Sequence, residues 1–323
     1  MSSTSDDRPP TQRDDHALHG IASRNRLPLR RLPPERTLRW AADSVGRGSK
    51  VVSIRPLAEG GWHANHALTV IDRRGATHRF VLRRWARPEW AVEDPDFTAA
   101  REAAVLDLLS DSPVPAPRLV AADPEGAVCD VPALLITRLP GRSPGLPSDM
   151  DAFIAQLAEA LPPIHALDGR ARQRIPAYRN YHDLGSLTPP RWSRRPRLWE
   201  RALELAGQDP PPGWRCFIHR DYHPENTLWL RGRLAGIVDW TSASWGPAAV
   251  DTAHMRWNLA LTYGVDAAEE FLRLHRSLAS EPFADQQHWD VVTVLDFVYD
   301  LDRSDWPAFD LARLERYLES VLA

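Results

Sequence analysis

The chain has 323 residues, 43% hydrophobic and 26% charged, with a net charge of −3; that is enough for two lobes, ordinary for a globular protein, and without the basic excess of a nucleic-acid binder. Two cysteines, Cys129 and Cys216, exclude a disulfide framework or a four-cysteine zinc site. The opening MSSTSDDRPPTQRDDH lacks the apolar core of a secretory signal, and no apolar run reaches the roughly 20 residues that span a bilayer, so a cytoplasmic protein without a membrane partner is expected.

Residues 1–45, rich in Arg, Asp, Pro and Ser, predict a disordered or loosely attached arm with at most a short helix at Leu38–Val45. Three strands follow, at Val51–Pro56, His66–Ile71 and His78–Arg83, separated by Gly60–Gly61 and Gly75. Phe97–Leu109 has helical spacing and stops before Pro113, Pro115 and Pro117. Ala133–Arg138 reads as a buried strand ended by Pro140–Gly141. Beyond it the pattern is mainly helical: Met150–His165, one helix near Leu198–Ala206 within an irregular stretch, then Ala248–Leu261, Ala267–Ser280, Trp289–Asp300 and Leu311–Leu322. Short apolar segments at Phe217–Asn226, Leu228–Leu230 and Leu234–Val238 interrupt them, with a tight turn at 231–233. The order predicts an α+β fold of two lobes: the arm, a first lobe over 46–138 and a second over 139–323.

The segment Phe217–Trp240, FIHRDYHPENTLWLRGRLAGIVDW, carries the chemistry. It sets His219, Asp221, Asn226 and Asp239 at fixed offsets around a short hairpin. Phosphoryl transfer from ATP needs such a set: one carboxylate to take the proton of an acceptor hydroxyl, and an amide oxygen with a second carboxylate to hold Mg²⁺ against the phosphates. Lys50 is the single lysine, so any other cation this chemistry requires must be arginine.

The string H-R-D-x-x-x-x-N, followed by an apolar strand and Asp, resembles the catalytic loop and metal-binding Asp of the kinase-like superfamily. HRDYHPEN with IVDW resembles the aminoglycoside phosphotransferase family more than protein kinases. The resemblance covers roughly residues 50–265 and implies a two-lobed kinase-like fold with a small antiparallel sheet and one helix in its first lobe. It implies that Asp221 is the base, that His219 organises the loop, and that Asn226 and Asp239 are Mg²⁺ ligands. Gly60 and Gly61 would cover the phosphates of ATP. Arg83 in FVLRR takes the place of the family's usual lysine, paired with Glu102, while Arg84 points to the other face. Backbone near Thr137 and Leu139 would meet adenine, and Asp251 would brace the catalytic loop.

Two alternatives stand beside this reading. His219, Asp221 and His223 alternate and could bind a transition metal in a hydrolase, and a catalytically inactive kinase-like binding module is the other. For the acceptor, the stretch from Glu281 onward holds ten acids against three arginines, an acidic rim that could attract an aminoglycoside-like or amino-alcohol substrate. Tyr178, Tyr181, Trp192 and Trp199 could form a lid or stack on a sugar.

Overall fold

A computed structural model describes residues 27–57, 63–86, 97–167, 175–279, 286–298 and 308–323. Its first part is an antiparallel sheet of β1 (Lys50–Pro56), β2 (Ala64–Ile71), β3 (Thr77–Arg84), β4 (Leu119–Asp123) and β5 (Ala133–Thr137), in the order β1-β2-β3-β5-β4. Successive side chains leave a strand on opposite faces. Leu68, Phe80, Leu82, Ala133 and Leu135 therefore pack on one face, and Val81, Leu134 and Ile136 on the other. The second face is covered by α3 (Ala99–Leu109), whose Ala99, Glu102, Val105, Leu106 and Leu109 are buried at helical spacing. Thr98 caps that helix, its side chain accepting the Arg101 N–H at 3.3 Å.

The first face is covered by a segment expected to be loose. Residues 27–45 form α1 (Leu27–Arg30) and α2 (Glu35–Val45), and α2 packs Ala41, Leu38 and Trp40 against Leu68, Leu82 and Leu135. The helix is pinned further by Thr37 Oγ1, which donates to Asp130 at 2.9 Å and accepts the Asp130 N–H at 3.1 Å. Polar composition hid this because α2 is strongly amphipathic: a thin apolar stripe suffices to cover a sheet. Residues 1–26 of the expected arm lie outside the described residues.

The second part is mostly helical: α4 (Met150–His165), α5 (Pro196–Ala206), α6 (Ala249–Tyr263), α7 (Val265–Leu278), α8 (Gln286–Val298) and α9 (Ala308–Leu322). Between α5 and α6 run β6 (Arg215–Ile218), β7 (Thr227–Leu230), β8 (Arg233–Ile237) and β9 (Ser244–Pro247), paired as β6–β9 and β7–β8. Arg231 and Gly232 link β7 to β8 with φ of 53° and 74°, the two positive values that let a two-residue hairpin follow the strand twist. Trp199, Phe217, Trp240, Trp257, Phe271 and Tyr317 are fully buried in a core that is continuous with the α3 face of the sheet. Gly141, at φ 103°, lets the linker after β5 press on β7; a Cβ there would stand 2.7 Å from the Trp229 carbonyl oxygen.

Candidate active site

The loop between β6 and β7 is held from beneath by one buried carboxylate. Asp251, in the first turn of α6 and inaccessible to solvent, accepts the His219 N–H at 3.0 Å and the Arg220 N–H at 2.6 Å. His165 Nε2, at the end of α4, lies 2.9 Å from the same carboxylate. Arg220 adopts φ 69°, a left-handed conformation rare for a residue of this size, and it sits next to Asp221. Its guanidinium donates to the Arg179 carbonyl at 2.9 Å and lies 3.8 Å over the Tyr181 ring.

His219 turns inward, its Nε2 3.0 Å from the Val238 carbonyl oxygen. Burial lowers its pKa against the pull of Asp251 and Asp221, so the ring is neutral and carries its proton on Nε2, the atom facing an acceptor. The side chain thereby ties the loop between β6 and β7 to the residue after β8. It is not part of the cluster foreseen with Asp221 and His223, and His254 from α6 stands there instead. His254 Nε2 lies 3.0 Å and His223 Nε2 3.6 Å from Asp221 Oδ1. Asn226 Nδ2 donates to Asp221 Oδ2 and to the Asp221 carbonyl, both at 2.9 Å. Burial alone would raise the Asp221 carboxyl, but His223 and His254 outweigh it and hold the group well below the usual carboxylate range. The side chain is still 39% exposed, so an ionised, oriented carboxylate faces solvent.

A second network bridges the sheet to the hairpin. Arg83 shares the α3 face of β3 with Val81, and its Nε donates to Glu102 at 2.7 Å. Its Nη2 donates to Thr241 Oγ1 at 2.8 Å and to Asp239 Oδ1. Thr241 Oγ1 lies 2.9 Å from Glu102 and 3.3 Å from Asp239 Oδ1. Burial would depress the Arg83 guanidinium, yet Asp239 and Glu102 raise it, and Glu102 is pushed up by burial against the pull of Arg83. Arg84, on the opposite face, pairs with Asp130 at 2.6 Å, as strand alternation requires. Asp239 sits at φ 65°, a left-handed conformation that Asp tolerates better than most residues; both its contacts here run through Oδ1. Asn226, whose Nδ2 is spent on Asp221, has its Oδ1 left as acceptor. An amide oxygen and a carboxylate are the hard donors that suit Mg²⁺.

Not every expected residue is placed so. Gly60 and Gly61 lie outside the described residues. Thr137 spends its N–H on the Arg118 carbonyl at 2.9 Å and its hydroxyl on the Arg118 N–H at 2.8 Å, so that amide is not open to a base edge. Leu139 packs against Gly236. Among the described acids of the presumed rim two are internal: Asp290 pairs with Arg256, and Asp296 accepts the Tyr181 and His182 N–H groups at 2.7 and 2.9 Å; Glu315, half-buried, accepts from Ser193 and Trp199. Trp199 is core, with Trp192 edge-on against it; Tyr178 and Tyr181 flank Arg220. Sequence reasoning missed His254 and Thr241. His254 had a signal, since it follows Asp251 by three residues on a helix and must share its face.

Five antiparallel strands with a helix on each face, followed by a helical part whose β7–β8 hairpin is flanked by Asp221, Asn226 and Asp239, define the two-lobed kinase-like fold of small-molecule phosphotransferases. The model of the phosphotransferase enzyme family (APH) matches residues 53–284, and the chain belongs to that family. Among solved structures it is similar to a macrolide 2′-phosphotransferase type I (19% identity, 88% of this chain and 94% of that one, TM-score 0.57). It is similar also to the macrolide 2′-phosphotransferase MphH from Brachybacterium faecium (18%, 87% and 97%, TM-score 0.56). A thermostable variant of aminoglycoside phosphotransferase APH(4)-Ia, in a ternary complex with AMP-PNP and hygromycin B, is a third (17%, 84% and 94%, TM-score 0.58). No curated protein sequence shows significant similarity to the chain. Among the described residues no helix is long and apolar enough to cross a membrane.

Proposed function

We propose that this phosphotransferase moves the γ-phosphoryl group of ATP, with Mg²⁺, to a hydroxyl of a small molecule, in the cytoplasm where both are plentiful. The observation that carries the reading is the bridge from Glu102 through Arg83 to Asp239. It joins the sheet to Asp239, two residues past β8, and the residue before it, Val238, donates its N–H to the Asn226 carbonyl at 2.9 Å, which ties this end of the hairpin to the Asp221 loop. We assign residues 46–138, with α2 docked on them, to nucleotide binding and 139–323 to catalysis and acceptor binding.

Asn226 and Asp239 would hold Mg²⁺, which when bound neutralises phosphate charge and orients the transferred group. Arg83 offers a permanent cation to phosphate oxygens, kept in place by Glu102. Leu139 and the backbone beside it flank adenine, and the sequence at Gly60 and Gly61 suits close approach to the phosphates. Asp221, fixed by Asn226 and His254, orients the acceptor hydroxyl and takes its proton as the oxygen bonds to the γ-phosphorus and the bond to ADP breaks. His219 and Asp251 keep the loop in shape and touch no reactant. Asp239 bonded to Arg83 and an ionised Asp221 support activity over an inactive binding module.

The test is a transfer assay with labelled ATP against a panel of aminoglycosides, macrolides and amino-alcohols, in wild type and Asp221→Asn. Transfer to at least one hydroxyl compound that the variant loses is expected. Transfer that the variant retains in full would remove Asp221 as the base.

A further inference from the structure

The cluster around Asp221 has a donor set that phosphoryl transfer does not require. One ligand atom from each of Asp221, His223 and His254 lies within 4.8 Å of the others. Both imidazoles approach the same carboxylate oxygen through Nε2, at 3.6 Å from His223 and 3.0 Å from His254. For metal–nitrogen bonds of 2.0–2.1 Å, tetrahedral ligands stand about 3.3 Å apart, so small side-chain adjustments would bring all three onto one ion. His254 is fixed on α6, a rigid element, and His223 precedes Pro224 in a short helical turn. His223 Nδ1 is buried without a hydrogen-bond partner, so the ring's polar contacts run through Nε2 into the cluster. The histidines are 16% and 13% exposed and the carboxylate 39%, which leaves an open side for a fourth ligand.

We propose that Asp221, His223 and His254 form a binding site for a divalent transition metal of the zinc class, separate from the oxygen donors Asn226 and Asp239. Two imidazoles and a carboxylate select such an ion over Mg²⁺, which takes oxygen ligands and gives up its waters reluctantly. The consequence for activity rests on the function proposed above. A metal on Asp221 Oδ1 occupies the lone pair that would accept the acceptor's proton, so the site is inhibitory: Zn²⁺ blocks transfer, and Mg²⁺–ATP still binds.

Metal binding can be read without ATP or acceptor, which separates it from the proposed reaction. The nucleotide-free full-length protein is titrated with Zn²⁺ by calorimetry and with Co²⁺ by visible absorption. Wild type should take up one equivalent, with the intense bands of four-coordinate cobalt. His223→Gln and His254→Gln should each bind at least tenfold more weakly, and Asp239→Ala should match wild type. Absence of saturable uptake, the weak bands of six-coordinate cobalt in wild type, or both histidine variants binding like wild type would overturn the site. The cobalt spectrum needs no variant, so it decides the matter even if a substitution unfolds the chain. Zn²⁺ that binds but leaves phosphoryl transfer unchanged would overturn the inhibitory role.

Discussion

At the residue scale the site consists of two carboxylates kept apart in function by what surrounds them. Asp221 is held by two imidazoles and an amide, and it faces solvent. Asp239 is held by a guanidinium. General-base catalysis typically contributes about 10²–10⁴ in rate, so Asp221→Ala should lower kcat by that much and leave nucleotide affinity within a few-fold of wild type, by steady-state kinetics and calorimetry. Arg83 makes a different prediction, because it is buried between two acids. Removing one partner of a buried ion pair costs about 3–5 kcal/mol. Arg83→Met should therefore lower stability to that extent in urea unfolding, and adding Glu102→Gln should restore part of it. The motif was legible here because its spacing is rigid: Asp221, Asn226 and Asp239 fall around one hairpin whatever the rest of the chain does. Thr241 was not legible, and His254 only through its three-residue offset from Asp251 on one helix. A hydroxyl or imidazole acquires its role only when distant elements bring it to the carboxylate, and neither residue type has a pattern of its own.

At the element scale, helix spacing and strand alternation predicted most of the fold. Strand alternation sent Arg83 and Arg84 to opposite faces of β3, whereas Glu102, buried on α3, was singled out by the family resemblance and not by helix spacing. The two patterns failed at β4, β6 and β9, which are short, flanked by prolines or contain glycine, and owe their extended form to pairing partners. They failed also at α2, where polar residues outnumber the stripe that packs. Two buried groups make element-level predictions. Asp296 in α8 accepts the Tyr181 and His182 amides, so Asp296→Ala should raise hydrogen exchange across 177–187 while exchange in α6 is unchanged. His275 in α7 is held at a pKa of about 3 by burial and by His165, against the pull of Asp251. Its folded pKa lies below its unfolded value, so the unfolded chain binds the proton first as pH falls. Stability is then full above about pH 6.5 and declines toward pH 3 by up to about 1.4 kcal/mol per unit. His275→Leu should flatten that limb in a series of melting curves. A variant with the same slope as wild type would show that His275 does not titrate there.

At the scale of the molecule, the sheet part and the helical part share one apolar core, yet their polar link at the site is a handful of side chains. Arg83 and Glu102 come from the first part, Asp239 and Thr241 from the second. A nucleotide between them would replace the Arg83–Asp239 contact with phosphate and metal contacts, so binding and the relation of the two parts are coupled. The acceptor was the least legible feature because tertiary contacts alone place the aromatic residues of 175–195: Tyr178 and Tyr181 flank Arg220, while Trp192 packs on Trp199. The same division applies to the acidic composition near the C-terminus: Asp290 closes an ion pair and Asp296 caps two amides inside the fold. The most direct measurement is calorimetric titration of wild type, Asp221→Ala and Asp239→Ala with ATP, with and without Mg²⁺. The account predicts Mg²⁺-dependent binding that Asp221→Ala keeps and Asp239→Ala weakens at least tenfold. A wild-type protein that binds no ATP in the presence of Mg²⁺, or binds it equally well without Asp239, would contradict it.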